Sequence, residues 1–169
     1  MINLKPLQPS NKSPFYLWLN DKDVIRYSLS LFQKTNKRKE IDAWFSGLLK
    51  DKGLNLGVYN DNTFIGYAGI CNISSANNSG EYFIFIGDKD SWGKGFGTEI
   101  SRQILDIGFK DYGLNRIMLT VFGLNIGGIK AYEKAGFKYE GRLKQACLRD
   151  GKYHDKIIMS VLREDWVKL

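Results

Sequence analysis

Three glycines at alternate positions, Gly93, Gly95 and Gly97, punctuate the stretch SWGKGFGTE at residues 91–99, where an apolar strand runs out and a helical periodicity begins. A helix N-terminus leaves backbone N–H groups unpaired and carries the positive end of the macrodipole. Glycine lets that backbone approach an anion closely. The chemistry this spacing suits is phosphate binding through main-chain donors, although plain turns use glycine too. Two common phosphate loops do not fit. A P-loop ends in Gly-Lys-Ser/Thr, and Lys94 instead sits between glycines. A dinucleotide fingerprint needs G-x-G-x-x-G in the first βαβ unit, whereas this loop follows the fourth predicted strand.

Further on, Asn125, Gly128, Tyr132, Gly136 and Phe137 form a second spaced set. Tyr132 lies two helical turns beyond Asn125, on the same face. In order and spacing the two stretches resemble the signatures of the GNAT superfamily of N-acetyltransferases: Gln/Arg-x-x-Gly-x-Gly/Ala at a strand-to-helix junction, then Asn-x-x-Ala/Ser-x-x-x-Tyr-x-x-x-Gly-Phe. Trp92 stands where Gln or Arg is usual, and Gly128 where Ala or Ser is. The resemblance spans residues 2–165 and is strongest over 81–141.

The resemblance implies acetyl-CoA as co-substrate. Trp92, Gly93, Lys94, Gly95, Phe96, Gly97 and Thr98, with Asn125 and Gly128, would bind it, the loop cradling its pyrophosphate. A gap between the strands at 81–87 and 116–122 would take the pantetheine arm. Phe85 and Ile86 would contact that arm, and a nearby backbone N–H would serve the oxyanion. An acceptor amine near pKa 10 must lose a proton before attack, and the tetrahedral oxyanion needs fixed donors. Tyr132 matches the tyrosine that protonates the departing thiolate; its bland reading is a core tyrosine. The glutamate base of some N-terminal acetyltransferases is absent, because that position is Thr120. Glu81 matches the glutamate of the histone-acetylating branch, and its bland reading is a strand-end charge facing water. His154 is a weaker base candidate, and relay through water is compatible with either residue.

Residues 18–28 and 140–166 resemble two neighbouring branches, which acetylate ribosomal-protein N-termini or nucleotide-linked amino sugars. The sugar branch is favoured, with a small-molecule amine as acceptor and a peptide N-terminus as the alternative. Trp18, Tyr27 and Trp44 could stack on a sugar or base, against a core-packing reading for each. A polyamine is disfavoured by the basic charge, unless local acidic patches overturn that. A non-catalytic acyl-CoA sensor is the reading from another class. A homodimer stays open, since many relatives in the family dimerise.

The elements that must position these residues are legible in outline. INLKPL (2–7), 54–60, 63–74, 81–87, 116–122, 137–143 and 153–162 read as strands. Ser13 is read as capping a helix through PFYLWLND, with 24–27 continuing it. Helices are predicted from 37 to 51, from 96 to a stop at Tyr112-Gly113-Leu114, and from 125 to 134 with Gly136 closing it, and Asp61-Asn62 reads as the turn of a hairpin. Residues 144–152 read as a turn-rich excursion, and 163–169 as a short tail. The fold class is α/β of the mixed α+β kind: a central mixed sheet with helices on both faces. The resemblance adds that its seven or so strands are mostly antiparallel.

Composition bounds the rest. A chain of 169 residues, 43% hydrophobic and 25% charged, reads as one globular domain, 1–169. Net charge is +7, which suits an anionic partner. Scattered basic residues and the lack of a recognised motif disfavour nucleic acid. The run Lys34 to Lys39 reads as the solvated start of a helix. Two distant cysteines and one histidine make no metal or disulfide pattern, so no metal is expected. With no signal peptide or membrane span in view, a reduced cytoplasmic location is expected.

Overall fold

The computed structural model describes residues 1–166. Its elements run β1 (Ile2–Pro6), α1 (Phe15–Trp18), α2 (Lys22–Ile25), α3 (Arg38–Lys50), β2 (Leu54–Asn60), β3 (Thr63–Ser74), β4 (Ser79–Ile86), α4 (Phe96–Lys110), β5 (Arg116–Phe122), α5 (Ile126–Ala135), β6 (Lys138–Arg149), β7 (Lys152–Leu162) and α6 (Arg163–Trp166). The strands form one sheet in the order β1-β2-β3-β4-β5-β7-β6. Every pairing is antiparallel except β4 with β5. The expected mixed, mostly antiparallel sheet is therefore what the chain forms.

The period-2 alternation of β4 divides the interior into two layers. Tyr82, Ile84 and Ile86 join Ile100, Ile104 and Phe109 of α4 on one face. Phe83 and Phe85 join Phe15, Leu19, Ile41 and Phe45 on the other. Phe15 is wholly buried, and its ring meets Trp18, Trp44, Phe45, Phe64, Tyr67 and Phe85. Burying such a ring contributes about 1.5–3 kcal/mol. Trp44 is thus a core residue, and Trp18 packs on Phe15 and Phe64.

Two predicted elements differ. The helix expected through residues 14–21 stops at Trp18, because Asp21 is extended (φ −92°, ψ 116°) and caps a second short helix by accepting from Asp23 N–H. The excursion expected at 144–152 is mostly strand. Asp150 and Gly151 both have positive φ and make a two-residue hairpin turn between β6 and β7. The ladder breaks between Leu143 and Cys147, where Gln145 takes φ +52° and donates its N–H to Asp155 Oδ1 at 2.7 Å. A bulge of this kind hides the alternation that would have marked 144–149 as strand. Of the predicted tail, residues 163–166 form α6, and 167–169 lie outside the described residues. No helix among the described residues is long and apolar enough to cross a membrane.

Candidate active site

The parallel ladder between β4 and β5 is short. Ser79, Gly80 and Glu81 pair with Arg116, Ile117 and Met118, and there it ends. Residues 82–86 and 119–122 then diverge while each strand keeps its outer neighbour, β3 or β7. The result is a wedge in the middle of the sheet, lined by β4 main chain that pairs with nothing on that side. Phe85 and Ile86 stand on its open half. Phe85 is buried among the α1 and α3 residues, so its side chain is core and its main chain faces β3; the main chain of Ile86 is the one turned to the split, and its carbonyl accepts from the Trp92 indole.

The glycine loop closes the wide end. Gly93 and Gly95 have φ of +73° and +82°, a region costly for residues with a Cβ. A Cβ at either would meet nothing within 4 Å, so open space lies beside both. Among the described residues, no acceptor is found for the N–H groups of 93–97, while Thr98 and Glu99 bond back to the Gly95 carbonyl. Five main-chain donors without an acceptor thus gather at a helix N-terminus, with open space beside Gly93 and Gly95, which fits a diphosphate. Trp92, in the unusual signature position, donates its indole N–H to the Ile86 carbonyl at 3.0 Å and pins the loop to the end of β4. Lys94 is exposed at the loop tip.

Helix α5 lies against the first turn of α4. Gly97 would bring a Cβ to 3.6 Å from the Ala131 methyl, and Thr98 donates its hydroxyl to the Ala131 carbonyl at 3.2 Å. Asn125 caps α5 by accepting from Gly128 N–H at 3.0 Å. A Cβ on Gly128 would press against that same Asn125 side chain, so the small residue serves the cap. Tyr132 is half-buried, with edge contacts to Tyr82 and Phe137 at 6.0 Å. Burial pushes its phenol up to about 12. Its hydroxyl makes no hydrogen bond to any described residue.

Tyr82 and Ser101 were not legible as site residues. Both are buried, and their hydroxyls are 2.8 Å apart. Ser101 donates to the Gly97 carbonyl at 2.7 Å, so Tyr82 donates to Ser101. This chain ties the split face of β4 to the first turn under the glycine loop. A tyrosine in an otherwise apolar strand is the signal that could have found it, since a buried phenol needs a partner.

Glu81 sits elsewhere. Strand parity directs it to the face opposite Tyr82 and Tyr132, at the closed end of the split. It accepts from Asn72 Nδ2 at 2.8 Å. The neighbouring Cys71 thiol is pushed up to about 11, by burial first and by the Glu81 carboxylate second. Both cysteines are free.

On the α1–α3 face, a cavity of about 780 Å³ opens between α2, the segment 26–35, the end of β5 and the β6–β7 turn. Phe122 belongs both to its wall and to the diverging part of β5. Tyr27 and His154 flank that ring at 5.5 and 5.1 Å. Four cations, Lys22, Arg26, Lys34 and Arg149, line the cavity against two carboxylates, Asp23 and Asp150. Tyr27 is therefore the one aromatic of the predicted three that reaches this space.

Residues 2–138 match the family model described as acetyltransferase (GNAT) domain. The chain is 29% identical over 131 residues to Probable N-acetyltransferase YjcK of Bacillus subtilis strain 168, covering 76% of this chain and 72% of that one. It is 27% identical over 168 residues to the SPbeta prophage-derived N-acetyltransferase YokL of the same strain, covering 98% and 92%. The crystal structure of spermidine N-acetyltransferase from Vibrio cholerae, in complex with CoA and spermine, is similar with a TM-score of 0.86. That match is 22% identical and covers 98% of each chain, so it speaks to the fold.

Proposed function

The chain belongs to the GNAT acetyltransferase family and is an acetyl-CoA-dependent N-acetyltransferase, and from that premise we propose that it acetylates the primary amine of a small molecule, a nucleotide-linked amino sugar being the best reading. The observation that carries the proposal is the split between β4 and β5, with unpaired loop N–H groups at its wide end and a cation-rich cavity on its far side.

Bound acetyl-CoA supplies the activated acetyl thioester. The N–H groups of residues 93–97 would hold its diphosphate, and the free β4 edge would pair with its amide arm. The Ile86 N–H, beside Phe85 on the split side of β4, would donate to the carbonyl oxygen, where negative charge develops as nitrogen attacks. Tyr132 holds a proton on its hydroxyl across the physiological range, since burial raises its phenol. The same low-dielectric surroundings disfavour a thiolate, so the proton passes from Tyr132 to the departing sulfur. The amine proton leaves on the cavity side. Glu81 would take it through water, and His154, on the cavity wall, is the alternative. The cations of the cavity outnumber its carboxylates, which favours an acceptor bearing negative charge over a polyamine.

The test is thiol release from acetyl-CoA with nucleotide-linked amino sugars, N-terminal peptides, polyamines and aminoglycosides. Turnover confined to the first class supports the reading. Turnover on peptides alone would replace it with the N-terminal alternative. Coenzyme binding with no turnover on any amine would favour a sensor.

A further inference from the structure

Two guanidinium groups on the large cavity share an unusual situation. Arg26 is exposed, lies over the Tyr27 ring at 5.4 Å, and has no carboxylate partner among the described residues. Arg149 lies over the Phe122 ring at 5.8 Å and also lacks a carboxylate partner. It donates to neutral oxygens only: the Ser28 carbonyl at 2.6 Å, the Ser30 hydroxyl at 3.1 Å and the Leu148 carbonyl at 2.9 Å. Its Nε is the single buried side-chain nitrogen or oxygen without a partner among the described residues. The two rings touch, at 5.5 Å between centroids, so the two cations flank one aromatic pair.

A half-buried guanidinium with an unmet N–H and no counter-charge is poorly satisfied by its own chain. Nη2 already bonds the Ser28 carbonyl at 2.6 Å and Nε is shielded, so Arg149 offers an anion its uncompensated charge and its remaining N–H groups, held in place by its own chain. Cavity carboxylates do not answer this need. Asp23 lies 3.7 Å from Lys89, and Asp150 makes no hydrogen bond or ion pair with either arginine. Lys34, a third cation of the wall, is already paired with Glu40 at 2.8 Å.

We propose that Arg26 and Arg149 form an anion subsite that binds a phosphate or diphosphate group carried by the acceptor, and so determine which amines are acetylated. This rests on the acetyl-transfer reading of the cavity and sharpens its substrate class. The subsite binds the non-reacting end of the acceptor, with Tyr27 and Phe122 as an apolar floor beside it. A polycation meets two unscreened positive charges there and is turned away.

The experiment compares matched acceptors: one amino sugar free, and the same amino sugar as its nucleotide diphosphate, with spermidine alongside. Wild type is run beside Arg26→Gln, Arg149→Lys and the double Gln variant. The diphosphate form is expected to exceed the free sugar in kcat/KM by about ten- to a hundredfold, the range of charge-assisted hydrogen bonds. That ratio collapses towards unity in the double variant while the KM for acetyl-CoA stays put. Arg26→Gln is the clean variant, since Arg26 makes no hydrogen bond that shapes the cavity. Arg149→Lys keeps the charge and loses the hydrogen bonds that fix it over Phe122, so it gives an intermediate ratio. A ratio that persists in the double variant, or a preference for spermidine in wild type, overturns the subsite and leaves acetyl transfer standing. If no amine is acetylated, calorimetry with uridine diphosphate decides. Binding that the double variant loses supports the subsite while the acceptor reading fails, and no binding to wild type overturns the subsite as well.

Discussion

Replacing Tyr132 by Phe removes one hydroxyl and nothing else. The ring contacts to Tyr82 and Phe137 stay, because they are made by the ring edges and faces. The hydroxyl makes no hydrogen bond to a described residue, so no buried partner is orphaned, and the change in stability should stay within about 0.5 kcal/mol. Acetyl-CoA affinity should hold within about twofold, since the loop N–H groups and the β4 edge are untouched. The kcat should fall by about 10²- to 10⁴-fold, the usual worth of a positioned acid. The pH profile adds a second reading. With its phenol pushed up to about 12, Tyr132 is only about 1% ionised at pH 10, where an unperturbed tyrosine is about half ionised. Wild-type kcat should therefore show no fall from loss of the acid through pH 10 if acetyl transfer itself limits the rate. The assay is thiol release at saturating acceptor from pH 7 to 10.5, with melting temperature and coenzyme affinity measured on both proteins. A kcat drop below about threefold would refute the acid role. So would an equal loss of coenzyme binding and stability, which would make Tyr132 a packing residue.

Ser101→Ala breaks the Tyr82–Ser101–Gly97 chain and strands a buried phenol, at about 1–3 kcal/mol of stability. The KM for acetyl-CoA should rise more than kcat falls, because the chain fixes the loop and not the acid; urea titration and steady-state kinetics check both. Gly95→Ala has room for its methyl but a φ of +82°, so it should cost about 1–2 kcal/mol and weaken coenzyme binding. Gly97→Ala, with an ordinary 3.6 Å contact to Ala131, should cost less than Gly95→Ala when both are compared by urea titration and by calorimetric titration with acetyl-CoA. Glu140 is held down to about 2 by Arg116 first and Ser160 second. Its folded-state pKa is depressed, so its contribution is present above about 4.5 and lost as pH falls towards 2. The carboxylate is 36% exposed, and solvent screening limits that contribution to about 1 kcal/mol. Urea midpoints of wild type and Glu140→Gln should differ at pH 6 and converge near pH 2.

The strands at 54–60, 63–74 and 116–122 were legible to the residue, because alternation and flanking Asn, Gly and Ser mark them locally. The turn at Asp61 and the glycine stops at Gly113 and Gly136 were legible for the same reason: each needs positive φ, and the residue types allow it. The helix expected through 14–21 failed because Asp21 competes with the helix by capping the next one. The strand at 144–149 failed because its bulge erases the period-2 signal. At the site, the glycine loop was marked by its own spacing and Tyr132 by its resemblance to the family motif, whereas the opposed faces of Tyr132 and Glu81 depend on which way β4 is turned in the sheet.

The sequence by itself determined most of the inventory: the majority of strands and helices, several sites where the backbone must take positive φ, and which loop carries unpaired donors at a helix start. These follow from torsional and hydrogen-bonding rules that act within a few residues. Tertiary structure alone decided that β7 sits between β5 and β6, that β4 and β5 part after Glu81 and Met118, and that Arg26 and Arg149 meet across a cavity. Those outcomes depend on pairing between segments far apart in the chain. Their energies come from burying two faces of one sheet at once, which no local pattern contains.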